Sequence, residues 1–80
     1  MIEGTVRRLD RANHVVVVET AEGKEVALHF HPESYIAIPE PATMGNRTGS
    51  LEDLKEGYWV EAEFVEKDGS CHCSSLTSLS

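Results

Sequence analysis

Four side chains with metal-binding chemistry sit in two short patterns, His29-x-His31 and Cys71-x-Cys73. Two imidazoles and two thiolates make the donor set of a tetrahedral zinc site, and either pair alone suits zinc or copper. Residues i and i+2 of a strand share a face, so each pair could hold an ion from one side of a sheet. A disulfide fits the cysteines poorly. Cα atoms two apart in a strand lie roughly 6.5–7 Å from each other, at the limit of disulfide reach. Free thiols in a reducing compartment follow. Catalytic patterns are missing: there is no nucleophile elbow, no HExxH and no phosphate loop, and the glycines fall in turns. Glu61 and Glu63 share a face, as solvated surface carboxylates do. Neither an enzyme nor a resident cofactor is expected.

Whether the donors meet depends on the strands that carry them. Residues 2–9 alternate, with Ile2, Gly4 and Val6 on one face, and the slip at Arg8-Leu9 calls for a bulge. Asp10 to Asn13 is turn material, and residues 14–20 hold consecutive valines that favour a strand. Gly23 helps reverse the chain into a third strand over 25–31. There Val26, Leu28 and Phe30 take the core face and leave His29 and His31 outside. Residues 32–50, with Pro32, Pro39 and Pro41, read as a long irregular connection with a mobile second half. Ser50 caps a short helical turn near 50–56 that Gly57 closes. A fourth strand spans 58–66, with Tyr58, Val60, Ala62 and Phe64 inward and Trp59, Glu61, Glu63 and Val65 outward. After the Asp68-Gly69 turn, a fifth strand runs from Cys71 to about Leu76, its cysteines on one face and His72 on the other. Leu76 returns to the core after a small irregularity.

Five short strands bury little as an open sheet, and closing them into a barrel removes the edges. The expected fold is therefore all-β, a small five-stranded antiparallel barrel of OB type, with an SH3-like barrel as runner-up. Residues 1–76 form the single domain and 77–80 a frayed tail. The stretches Ser50-Leu51-x-Asp53-Leu54-Lys55-x-Gly57-x-x-Val60-x-Ala62 and Asp68-Gly69-Ser70 resemble a family of small OB-like barrels of unknown function. In that family a "slxdLkxGdxVxVe" stretch leads to a "dGtlxAxxI" hairpin. The resemblance implies a barrel with an accessory or interaction role, and it implies small apolar residues inside at Cys71 and Cys73. Members of that family are commonly exported, often as repeats, and this chain has neither mark. A weaker likeness runs to nucleic-acid OB-folds such as translation initiation factor one and cold-shock proteins, whose basic or aromatic faces have no counterpart here.

These faces divide the tempting donor set. His29 and His31 point away from the core, while Cys71 and Cys73 point into it, so one ion cannot collect all four. The histidine pair as a weak surface site, or the cysteine pair with a third ligand, remain as metal readings. Trp59 lies outward on its strand, with Val65 on the same side, where it can stack a base, grip a peptide or meet another subunit. The competing arrangement folds Tyr35, Ile36, Ile38 or Met44 over Trp59 and covers it.

The chain of 80 residues carries a net charge of −7. Protonating its histidines leaves it acidic. That balance argues against nucleic acid, whose binding needs Lys and Arg to displace counterions. The acid is concentrated where Glu52, Asp53, Glu56, Glu61, Glu63, Glu66 and Asp68 face only Lys55 and Lys67. Opposing it, Arg7, Arg8 and Arg11 form a small basic corner, a pattern suited to a protein partner or a homodimer. Apolar runs such as Val15 to Val18 fall far short of the roughly 20 residues a membrane helix needs. The start lacks a secretory signal, so the sequence as it stands reads as cytoplasmic, exported only if a leader has been removed. The leading function is a non-enzymatic binding or protein-interaction module using Trp59, Val65, Tyr35, His29 and His31. Metal binding (zinc or copper) by His29 and His31 or Cys71 and Cys73 is the alternative, and an acidic OB-fold for single-stranded nucleic acid comes third.

Overall fold

A computed structural model of the chain describes residues 1–79, whose strands are β1 (Ile2–Asp10), β2 (Val15–Thr20), β3 (Glu25–His29), β4 (Tyr35–Glu40), β5 (Gly45–Thr48), β6 (Trp59–Lys67) and β7 (Ser70–Ser78). One 3-10 turn covers Leu51–Asp53. The pairs β1–β2, β2–β3, β1–β6 and β6–β7 are antiparallel, and a parallel pairing of β3 with β7 closes the ring. This is the OB-type barrel expected from the sequence. Its parallel closing seam, Leu28 opposite Cys71 and His29 opposite His72, is the one departure from a wholly antiparallel ring.

Alternation explains the core. Val6, Val16, Val18, Leu28, Val60, Ala62, Cys73 and Leu76 all turn inward and are buried. The bulge in β1 lies at Arg7, where the register moves from Val6–Val18 to Arg8–Val17, one residue before the slip read from the sequence. In β7 the register shifts opposite Glu63 and Phe64, which returns Leu76 to the core as expected. Gly4 is needed where β1 crosses β2, because a Cβ there would collide with the Glu19 carbonyl.

Three elements differ from the sequence reading. Residues 32–50 are not irregular: β4 and β5 form a hairpin, and β4 adds to β7 in parallel through Tyr35–Ser75, Ile36–Leu76 and Ala37–Thr77. Burial of Ile36, Ala37 and Ile38 drives that addition, and Pro39 is tolerated in the hairpin's outer part. The helical segment is only the turn Leu51–Asp53, because Leu54 leaves helical conformation and goes fully into the core. Asp53 holds this turn by accepting from the Ser50 N–H at 2.9 Å. The last strand continues through Ser78, which is buried, and the Leu79 N–H donates to the Trp59 carbonyl. Residues 77–79 are therefore tied down rather than frayed, and Ser80 lies outside the described residues. Among the described residues no helix is long and apolar enough to cross a membrane.

Candidate functional site

The closing seam brings together three imidazoles that lie far apart in sequence. β3 and β7 run parallel with His29 opposite His72, both away from the core, and His31 follows just beyond the end of β3. His31 Nε2 faces His72 Nδ1 at 2.7 Å. The ring centroids lie 4.9 Å apart with 24° between their planes. His29 flanks the same ring of His72 at 5.7 Å and 36°. Between His31 and His72 one nitrogen carries the proton and the other accepts it, so a lone pair is present between the rings. The side chain of Ser34 pins this end of the seam. Ser34 Oγ donates to the Cys73 carbonyl at 2.6 Å and accepts the His31 N–H at 3.0 Å.

The cysteines are where the faces put them. Cys73 is buried, its thiol donates to the Ser75 carbonyl at 3.3 Å, and burial pushes its pKa up to about 12. Cys71 is half-buried against the core. Both are free thiols, on the opposite side of β7 from His72. The structure thus gathers His29 and His31 with His72, and separates them from Cys71 and Cys73. Among the described residues no group of three or more His, Cys, Asp or Glu side chains already converges as a metal cage. The facing pair is His31 and His72, with His29 alongside.

The other candidate residues are spread along the outer face. Trp59 is 39% exposed, Tyr35 49% and Val65 60%. Tyr35 pairs with Ser75, which itself lies opposite Glu63, so Tyr35 joins the outer face midway along β6 rather than at either end. Glu61 and Glu63 separate Trp59 from Val65 along the strand. The shallow concavity beside Trp59 is lined by Met1 to Glu3 and Thr20 to Glu22, with no contribution from 32–50. Glu3 and Glu61 are direct cross-strand partners, and a hydrogen bond between their carboxyl groups raises the Glu61 pKa.

His72 is the functional candidate that strand alternation alone does not join to the others. Its outward position was legible from alternation with Cys71 and Cys73. What could not be read was the parallel closure that sets it opposite His29. A second feature, also missed, is a cavity of about 400 Å³ between the β1–β2 turn, the end of β3 and the segment 49–52. His31 lines it; His72 does not.

No family profile matches the sequence, and a search of curated proteins finds no match. Solved structures do match in shape. One is apo-CusF from Escherichia coli, with a TM-score of 0.69 at 13% identity, covering 99% of this chain and 84% of that one. Another is a tryptophan-to-alanine variant of CusF with Cu(II), with a TM-score of 0.67 at 13% identity, covering 99% and 89%. The two proteins share a fold. The small barrel implied by the turn patterns is therefore present, while the particular family they resemble is not recovered.

Proposed function

We propose that this chain is a non-enzymatic metal-binding module that takes copper(II) or zinc on its outer face through the facing pair His31 and His72, with His29 beside them. The observation that carries it is the 2.7 Å approach of His31 Nε2 to His72 Nδ1. Two imidazole nitrogens bound to one ion, each about 2.0–2.1 Å from it, stand roughly 3 Å apart. Admitting an ion in place of the shared proton takes a small separation and a turn of the rings that brings both lone pairs onto it. Imidazole nitrogens suit both metals, and backbone pairing of β3 with β7 fixes two of the three rings' Cα positions. The Cu(II) in the variant of CusF belongs to that protein, but it supports this reading of a barrel of the same shape.

Calorimetric titration of the metal-free protein with Cu(II) and with zinc tests the proposal. One equivalent should bind, releasing protons at low pH because the donors must be neutral. His31→Ala and His72→Ala should each weaken binding by about tenfold or more. Replacing both Cys71 and Cys73 by alanine should leave it unchanged. Absence of binding at stoichiometric metal, or affinity indifferent to His31 and His72, would refute the reading.

A further inference from the structure

The cavity beside the histidines has a chemistry of its own. In a chain of net charge −7, three of the arginines are committed to carboxylates: Arg7 to Glu19 at 2.9 Å, Arg8 to Glu25 at 2.9 Å and Arg47 to Asp53 at 3.3 Å. Arg11 lines the cavity instead. It donates one N–H to the Leu54 carbonyl at 3.0 Å, which anchors the guanidinium at the cavity wall, and among the described residues it has no ion-pair partner. His14 and His31 line the same space, and Glu52 is its one acid. The floor is apolar: Phe30 and Ile36 are almost wholly buried in the core, and Leu51 packs against it. A volume of about 400 Å³ lies within the range of small-molecule sites, which combine apolar walls with a few convergent polar groups.

We propose that this cavity receives a small carboxylate with an apolar body, its carboxylate against Arg11 and its body against Phe30, Ile36 and Leu51. A planar guanidinium presents parallel N–H donors that match a carboxylate. The imidazole of His14 adds a polar group to the wall, while the Nε2 of His31 is engaged with His72. The hydroxyl of Ser34, on the same wall, is already engaged with the Cys73 carbonyl and the His31 N–H, so recognition of the anion falls to Arg11. The apolar floor distinguishes this site from one built for inorganic phosphate. The cavity shares His31 with the proposed metal site, but His72 lies outside it, so a change at His72 tells the two sites apart.

Benzoate is a suitable probe, titrated into the full metal-free chain in the presence of a chelator and followed by amide and side-chain NMR shifts. Shifts should concentrate at Arg11, His14, Phe30, His31 and Leu51. Benzamide, which keeps the ring and loses the charge, and inorganic phosphate, which keeps charge and loses the ring, should each bind about tenfold more weakly or worse. Arg11→Gln should weaken benzoate by a similar factor. Since that change also removes the bond to Leu54, Leu51→Phe provides a second variant that fills the cavity and should abolish binding. His72→Ala should leave benzoate affinity unchanged while metal affinity falls, so failure of one site is distinguishable from failure of the other. Equal binding of benzamide or phosphate, shifts centred on another face, benzoate affinity surviving Leu51→Phe, or its loss in His72→Ala would each overturn the proposal.

Discussion

Neighbouring residues of β7 meet opposite environments: the imidazole of His72 reaches another imidazole in solvent, while the thiol of Cys73, next along the chain, is sealed in the barrel. Desolvation holds that thiol protonated, at a pKa of about 12, and a thiol is a poor nucleophile and a poor metal ligand. Cys73 should therefore resist iodoacetamide at pH 8 in the folded protein and react on addition of denaturant, as peptide mapping by mass spectrometry would show. Labelling of Cys73 at the same rate before and after unfolding would contradict its burial. Close packing at β1 gives a second residue-scale expectation. A methyl group at Gly4 meets the backbone of β2, so Gly4→Ala should cost about 1–3 kcal/mol in urea unfolding. No cost would mean that β1 and β2 separate more easily than their register implies.

Cross-strand pairing sets the electrostatics of the outer sheet. Glu3 of β1 and Glu61 of β6 face each other, and their shared hydrogen bond raises the Glu61 pKa above the ordinary carboxylate value. The folded state then holds a proton that the unfolded chain has released, so this pair's contribution is present below the unfolded pKa and is lost as pH rises through the folded one. Glu61→Gln keeps a hydrogen-bonding partner for Glu3 and removes the repulsion. It should flatten the stability profile in the mildly acidic range, measured by urea midpoints at successive pH values; an unchanged profile would remove the pair as its cause. Alternation was enough to read the barrel strands, because each buries one face and leaves the other wet. It was enough, too, to separate the histidines from the cysteines. It failed at residues 35–48, where Pro39, Pro41 and the turn-rich stretch 44–49 concealed a hairpin held by Ile36 and Ile38. It also failed to join His72 to His29, since a parallel contact between strands far apart in sequence leaves no local pattern.

At the scale of the whole molecule, the metal proposal and the fold meet on one seam. The parallel ladder of β3 and β7 closes the barrel through Leu28–Cys71 and His29–His72, and β4 continues β7 from Tyr35 onward. Leu76 fills the core below that junction, and Leu76→Ala should cost about 2–5 kcal/mol. An ion held by His31 and His72 would tie the end of β3 to β7 and stabilise only the closed barrel. At free metal a hundredfold above Kd the gain is about 2.7 kcal/mol, visible as a higher Tm that His72→Ala abolishes. The overall acidity gives such a barrel a field that attracts cations, whereas Arg11 and the cavity imidazoles reverse it locally. Electron paramagnetic resonance of the Cu(II)-loaded protein with nitrogen-15 histidine probes metal binding at this seam most directly. Hyperfine coupling to imidazole nitrogen is expected, reduced in both His31→Ala and His72→Ala and retained when Cys71 and Cys73 are replaced by alanine. A spectrum without imidazole coupling, or one that neither histidine variant alters, would contradict metal binding at His31 and His72.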